Sequence, residues 1–218
     1  MKIALFDFCE TLVGFQTADA YVRFVMSNSG ETCLSADRFF TFLNRTRILG
    51  LMRRLMPKAS IEKRLRLKNL KGMSREKLES LAQRYYTEKL KPAFIVPVVD
   101  ELKRKKQEGY KIYLVSGGYD IYLKVFAEEF GVDGIVSTRL AFKNGVCTGK
   151  FDGPDCMFAH KINYIKQLIP DSGYEEWYAY SDSATDIPML KLVGHPVAIS
   201  SGKSQSWARE QGFEEIIY

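Results

Sequence analysis

The chain predicts an α/β fold in which a mostly parallel sheet, covered by helices on both faces, is interrupted after its first strand by an all-helical insertion. Three observations carry that expectation. The run Ile3-Ala4-Leu5-Phe6 is apolar at every position, which suits a strand buried on both faces. From Gly14 to Lys91 no segment has the rhythm of a strand. After Pro92, short apolar runs alternate with longer amphipathic ones, the pattern of parallel crossover units. One domain is therefore discontinuous, residues 1–13 plus 92–218, and residues 14–91 form the inserted one. A length of 218 residues suits one large domain carrying such an insertion.

Each element has a local reason. Thr17 can cap a helix carrying Ala20, Tyr21, Phe24 and Val25, ended by Asn28 to Gly30. Ser35 can cap a second helix with Phe39, Phe42 and Leu43, and Leu49 to Met56 stays apolar until Pro57 stops it. Residues 60 to 70 alternate Leu with Lys and Arg in a helical rhythm, and Ser74 can cap a helix holding Leu78, Leu81, Ala82 and Tyr85. A helix is expected from about Ala93 to Glu108, starting late enough to keep Pro97 in its first turn and ending at Gly109. Lys111 to Val115 is a second buried strand that ends in Ser116-Gly117-Gly118, and a helix from Tyr119 to Phe130 closes at Gly131. Gly134 to Ser137 is a short strand, and Asn144-Gly145 within Leu140 to Gly149 signals a hairpin. His160 to Leu168, Ile187 to Val193 and Gln205 to Gln211 read as helices; Glu176 to Tyr180, Pro196 to Ile199 and Glu214 to Ile217 read as strands.

The composition, 46% hydrophobic and 27% charged, is that of an ordinary globular protein. No apolar run reaches the length of a membrane span, and the start reads as a strand rather than a targeting leader. Cys9, Cys33, Cys147 and Cys156 show no paired metal-ligand spacing, so a reduced cytoplasmic protein is expected. The net charge of +6 is uneven: Arg38 to Lys91 holds sixteen Lys and Arg against four Asp and Glu, and the remainder is acidic. A basic helical block is either a solvated face or an attractor of anionic substrates, nucleic acid or an acidic membrane surface. No nucleic-acid motif accompanies the charge, and no nucleic-acid partner is expected. Contact with anionic lipid through Phe39, Phe40, Leu51, Met52 and Leu55, beside Arg53 and Arg54, competes with the preferred reading of those residues as the insertion's own core.

The chemistry sits where strands end. The first strand ends in Asp7, the second in Ser116 and two glycines, and Glu176 to Tyr180 runs into Asp182, with Asp186 four residues on. Lys161 stands at the start of a helix between them. In a parallel sheet these ends share one edge, the edge where open α/β sheets bind ligands. Carboxylates without His or Cys partners make a hard oxygen site suited to Mg²⁺. The Ser116 hydroxyl and the amides of Gly117 and Gly118 can cradle phosphate oxygens. Lys161 supplies the charge neutralisation a carboxylate needs when it attacks an anionic phosphate. Singly, each feature also reads as an acidic helix start, a surface lysine or a turn; together they point to phosphoryl transfer.

On these residues the chain resembles the haloacid dehalogenase superfamily, in its branch of phosphoserine phosphatase-like subfamily IB hydrolases with a helical cap. Asp7-Phe8-Cys9-Glu10-Thr11 resembles the first motif, Val115-Ser116-Gly117-Gly118 the second, Lys161 the third and Ser181-Asp182-Ser183-Ala184-Thr185-Asp186 the fourth. The tail His195-Pro196-Val197-Ala198-Ile199 also fits the branch. The resemblance implies a Rossmann-like core and a cap over residues 14–91, where no motif is matched. It implies that Asp7 attacks phosphorus to give an aspartyl-phosphate. Asp7 and Asp182 would hold Mg²⁺ with the backbone carbonyl of Cys9, and Asp186 would support the metal through water. Ser116, an amide of Gly117 or Gly118, and Lys161 would hold the transferring group of a small phosphorylated substrate.

One position departs from the pattern. Phosphatases of this kind usually carry a second Asp two residues after the nucleophile, which protonates the leaving alkoxide and then activates water. Here that residue is Cys9. A backbone carbonyl is indifferent to the side chain, so the metal position survives the change. The acid/base role is open between the Cys9 thiol, whose reference pKa of about 8.5 leaves it mostly protonated at neutral pH, and Glu10, which either reaches the site or faces solvent. Superfamily members without the second Asp include dehalogenases and phosphonate hydrolases. The expectation is a Mg²⁺-dependent phosphatase; the alternatives are a hydrolase of a C–P or C–halogen bond and a phosphate-binding protein that has lost turnover.

Overall fold

A computed structural model describes residues 2–30, 58–157, 159–168 and 173–218. Its strands are β1 (Ile3–Phe6), β2 (Lys111–Tyr119), β3 (Gly134–Thr138), β4 (Leu140–Lys143), β5 (Val146–Phe151), β6 (Tyr178–Ser181), β7 (His195–Ser200) and β8 (Glu214–Ile217). Its helices are α1 (Thr17–Asn28), α2 (Lys58–Leu67), α3 (Arg75–Tyr85), α4 (Val96–Gln107), α5 (Asp120–Phe130), α6 (Ala159–Leu168), α7 (Ile187–Leu190) and α8 (Ser206–Gln211).

Among the described residues, six strands form one parallel sheet in the order β3-β2-β1-β6-β7-β8. β4 and β5 form a separate antiparallel hairpin, and Asn144 and Gly145 both take the positive φ that its tight turn requires. β1 is buried at all four positions because it serves two cores. Ala4 and Phe6 join the apolar cluster on one face of the sheet, and Ile3 and Leu5 join the other. Phe6 lies opposite Leu114 of β2 and Tyr180 of β6, and its ring stacks on Tyr180 at 4.2 Å.

Among its described residues the segment between β1 and α4 holds helices joined by turns and isolated bridges, with none of the named strands, and its apolar interior is continuous with the sheet. Tyr21, Leu67, Leu78 and Tyr85 share a cluster with Phe6, Leu114 and Phe126. Ser74 caps α3 as its spacing predicts, accepting the Lys77 amide at 3.2 Å. α4 begins at Val96, with Pro97 in its first turn. α5 ends on Gly131 in the left-handed conformation.

Three boundaries differ from expectation. Gln16, not Thr17, precedes α1 as its cap; the Thr17 hydroxyl is drawn inward by Cys9 and Tyr122. β2 does not stop at Ser116 but continues to Tyr119, with an irregular register against β3 between these residues. Residues Tyr174–Glu176 form a 3-10 turn and β6 starts at Tyr178, because Trp177 turns fully into the core. The helix expected after Ser35, the Leu49 to Met56 run and the aromatic and basic residues considered for membrane contact lie outside the described residues. Among the described residues no helix is long and apolar enough to cross a membrane.

The turn before β6 is locked to the turn before β7. Gly194 donates its N–H to the Tyr174 carbonyl at 2.8 Å, and a Cβ on Gly194 would meet the Glu175 carbonyl oxygen at 1.9 Å. That neighbour is backbone and cannot swing away. Gly194→Ala is expected to cost about 1–3 kcal/mol or more through overpacking, read as a lower urea midpoint at unchanged m-value.

Candidate active site

The order of the sheet sets the site. β1 lies between β2 and β6, so the residues that follow these three strand positions are brought side by side. A cleft of about 480 Å³ opens there, lined by Asp7, Ser116, Gly117, Lys161, Asp182 and Asp186 from the sheet side. Cys9, Glu10 and Gln16, from the loop that leaves β1, and Asp19, Glu62 and Lys63, from α1 and α2, complete its wall. All eight residues singled out in the sequence fall in or against this cleft; Gly118 lies directly behind Ser116.

Lys161 organises the floor. Its ammonium donates to Asp7 Oδ1 at 2.8 Å and to Asp186 Oδ2 at 2.6 Å, and all three side chains are buried. Ser181 donates to the same Asp186 oxygen at 2.8 Å. Burial opposes the charged form of Lys161, but Asp7 and Asp186 outweigh it and raise its pKa. Burial pushes the Asp7 carboxyl up to about 7, with Lys161 pulling against it and Asp186 and Asp182 reinforcing it. Burial also pushes Asp182 up to about 6, against its hydrogen bond from Thr11.

Thr11, named in the sequence only as the last residue of the first motif and given no role there, ties two strand ends together. Its fully buried hydroxyl donates to Asp182 Oδ1 at 3.0 Å, accepts the Asp182 N–H at 3.0 Å and stands 3.4 Å from Asp7 Oδ2. Its position four residues after Asp7 is the only local signal of that role.

Among the described residues no three His, Cys, Asp or Glu side chains are grouped closely enough to hold a metal ion as they stand. The charge balance nevertheless suits a divalent cation. Asp7 and Asp186 share one ammonium, Lys161; Asp7 and Asp182 are raised first by burial, and neighbouring carboxylate charge raises both further. The donors beside Thr11 are carboxylate oxygens, the hard set that Mg²⁺ prefers.

The phosphate-cradle candidates are compact. Ser116 is fully buried, and its Oγ accepts the Gly118 N–H at 3.0 Å. Close approach favours glycine at position 118, where a Cβ would meet the Tyr122 hydroxyl at 2.6 Å; at Gly117 it would meet the Met157 side chain at 3.1 Å, a tight contact that this side chain can relieve.

Cys9 is partly buried. Its Sγ shares a hydrogen bond of 3.0 Å with the Thr17 hydroxyl, which is bonded in turn to Tyr122 at 2.7 Å. Burial, reinforced by the Asp7 charge, pushes the Cys9 thiol up to about 11, so it stays protonated at neutral pH. Glu10 stands at a positive φ of 59° on the rim, where Gln16 donates to its carboxylate at 2.5 Å. Its charge also raises Asp182, so it acts on the site electrostatically while remaining exposed.

The cleft opens at the carboxyl edge of the parallel sheet, beside helices inserted after the first strand, and the relatives of the chain make it a hydrolase of the phosphatase type. The chain belongs to the haloacid dehalogenase-like hydrolase family, whose model matches residues 4–191, and within it to the phosphoserine phosphatase-like branch. It is 28% identical to a phosphoserine phosphatase of Methanocaldococcus jannaschii over 90% of this chain and 84% of that one. It is 23% identical to a histidinol-phosphatase of Neisseria meningitidis over 100% of this chain and 99% of the other. A solved structure, a protein of unknown function from Bordetella pertussis, shares the fold with a TM-score of 0.79 at 22% identity, over 99% of this chain and 97% of that one.

Thr11→Val removes the hydroxyl that satisfies both the side chain and the N–H of Asp182 while keeping the volume. A loss of about 1–3 kcal/mol is expected from the unsatisfied buried groups, measured by chemical denaturation.

Proposed function

We propose that the protein is a Mg²⁺-dependent phosphatase that hydrolyses a small phosphomonoester through an aspartyl-phosphate on Asp7. The observation that carries this reading is the buried Lys161 ammonium shared by Asp7 and Asp186, beside the Ser116 cradle. Such an arrangement aims a carboxylate at the cleft and offers positive charge where a transferring phosphoryl group gathers negative charge. The phosphoserine and histidinol phosphatases among its relatives act on small phosphorylated molecules, as their names state. Residues 14–91 act as a cap domain over the core of residues 1–13 and 92–218, and they set the outer wall of the cleft. Free Cys9, Cys147 and Cys156 support a reducing compartment, the cytoplasm.

Asp7 and Asp182 would hold Mg²⁺ with the Cys9 carbonyl, and Asp186 would support it; bound there, such a cation would lower the charge repulsion between the carboxylates and the phosphate. Asp7 attacks phosphorus, a new Oδ–P bond forms, and the ester oxygen departs with the electron pair. Ser116, Lys161 and an amide of the glycine pair hold the three phosphoryl oxygens. Water then attacks the acyl phosphate, releasing inorganic phosphate and restoring Asp7.

The leaving oxygen needs a proton, and this site supplies it poorly. A thiol whose pKa is pushed up to about 11 is a weak acid toward the leaving alkoxide, and in its protonated form it cannot act as the base that activates water. The enzyme should therefore favour esters whose alkoxide departs easily, and its kcat/KM should fall steeply as the pKa of the leaving alcohol rises.

Two substitutions test the reading in a screen of phosphomonoesters with Mg²⁺. Asp7→Asn should abolish turnover; residual hydrolysis at the wild-type rate would remove Asp7 as nucleophile. Cys9→Asp should raise kcat for alkyl phosphates, within the roughly 10²–10⁴-fold range of general acid–base catalysis, and flatten the leaving-group dependence. Absence of turnover in both forms, with phosphate still bound, would favour a binding protein; hydrolysis of a C–P or C–halogen bond instead would reassign the reaction.

A further inference from the structure

Lys63 is a buried cation that the reaction outlined above does not use. It comes from α2 in the insertion, is 6% exposed, and among the described residues its hydrogen-bond partners belong to the sheet side of the cleft. Its Nζ donates to Asp155 Oδ1 at 2.5 Å, to Thr138 Oγ1 at 2.9 Å and, in a closer contact, to the Gly117 carbonyl. The rings of Tyr119 and Phe151 each stand 5.2 Å from the ammonium. Asp155 neutralises the charge, so Lys63 is not a free point charge for an incoming anion. The pair also contributes little net stability by the usual balance, because Asp155 Oδ2 is buried without a partner. What the pair fixes is geometry.

We propose that Lys63 is a positioning residue for the phosphate cradle: it holds the Gly117–Gly118 amide and, through it, aims the Ser116 hydroxyl. The peptide unit is planar, so a donor on the Gly117 carbonyl also sets the direction of the Gly118 N–H. That N–H donates to Ser116 Oγ at 3.0 Å. A hydroxyl that accepts there has its single proton to give elsewhere, and Ser116 lines the cleft. Without Lys63 the side-chain donor left to the Gly117 carbonyl is the Thr138 hydroxyl, at 3.2 Å, whose single proton also faces Asp155 Oδ1 at 2.7 Å. The cradle is therefore complete only when α2 is seated, which Arg66 assists through Asp19 at 3.2 Å. The inference rests on the phosphoryl-transfer reading of the cleft.

The test compares Lys63→Met and the double variant Lys63→Met/Asp155→Leu with wild type. Turnover is measured on p-nitrophenyl phosphate with Mg²⁺, because this ester has no carboxylate or amine for Lys63 to bind. The Gly118 amide resonance is followed in [¹⁵N]glycine-labelled protein. Both variants should lose kcat roughly 10- to 100-fold, the scale of a misplaced catalytic group, with the Gly118 resonance shifted and its exchange faster. The double variant, having no unpaired buried charge, should regain thermal stability but not kcat. A kcat that returns with stability would make the pair merely structural and overturn the proposal. So would an unmoved Gly118 resonance, or a loss confined to KM for carboxylate-bearing esters. If wild type hydrolyses no phosphomonoester, the phosphatase reading falls, and the Gly118 resonance alone still decides whether Lys63 sets that amide.

Discussion

The cleft depends on one ammonium taken out of water and shared between two carboxylates. Lys161 can be buried only because Asp7 and Asp186 approach it from different strand ends, at 2.8 and 2.6 Å. Those carboxylates tolerate burial only because Lys161 stands between them. The parallel pairing of β2, β1 and β6 makes this mutual dependence feasible, since it fixes the three ends to one edge before any side chain is placed. With Asp182 added, the group still carries more negative than positive charge. A phosphate dianion entering such a floor meets repulsion first, so on the proposed mechanism the cation must be in place before the substrate is held.

The parts of this arrangement that are legible in the sequence are those with a local cause. Asp7 follows four consecutive apolar residues, Ser116 follows Ile112 to Val115, and Asp182 follows β6 closely, so each is announced by the strand before it. Asn144-Gly145 and Ser74 are likewise read from turn and cap chemistry alone. The Lys63 cluster is not, because its partners Thr138 and Asp155 lie 75 and 92 residues away and no local pattern connects them. Lys63 reads as one more charge in a basic helical block. A signal did exist: Lys63 and Leu67 are one turn apart and share a helix face, and Leu67 is fully buried, so the lysine stands on the apolar side. Thr17 fails for the opposite reason. Its local cap signal is good, but a tertiary hydrogen bond to Cys9 and Tyr122 outcompetes it.

The insertion is more than a cover. Its apolar residues merge with one face of the sheet, so its helices cannot shift without disturbing the cluster that includes Phe6 and Phe126. α1 brings Thr17 to Cys9, and α2 brings Lys63 to Gly117. The helices therefore reach the two loops on which the proposed chemistry turns, one carrying the nucleophile and the other the cradle.

Cys9 is best understood through the same charge balance. A carboxylate at that position would add another negative group beside Asp7 in a floor that already raises the Asp7 carboxyl to about 7. A thiol held protonated adds none, and its hydrogen bond to Thr17 ties the loop to α1 without needing a counter-ion. On the proposed mechanism the thiol avoids that added repulsion and forgoes a proton shuttle. Glu10, the nearest carboxylate that remains, is kept at the rim by its positive φ and by Gln16, where water can solvate its charge. Beyond Asp7, the loop after β1 thus keeps the acidic Glu10 at the edge of the cleft and the neutral Cys9 in its depth. On the proposed mechanism, this ordering would cost a difficult leaving group its proton donor and leave an easily departing one almost unaffected.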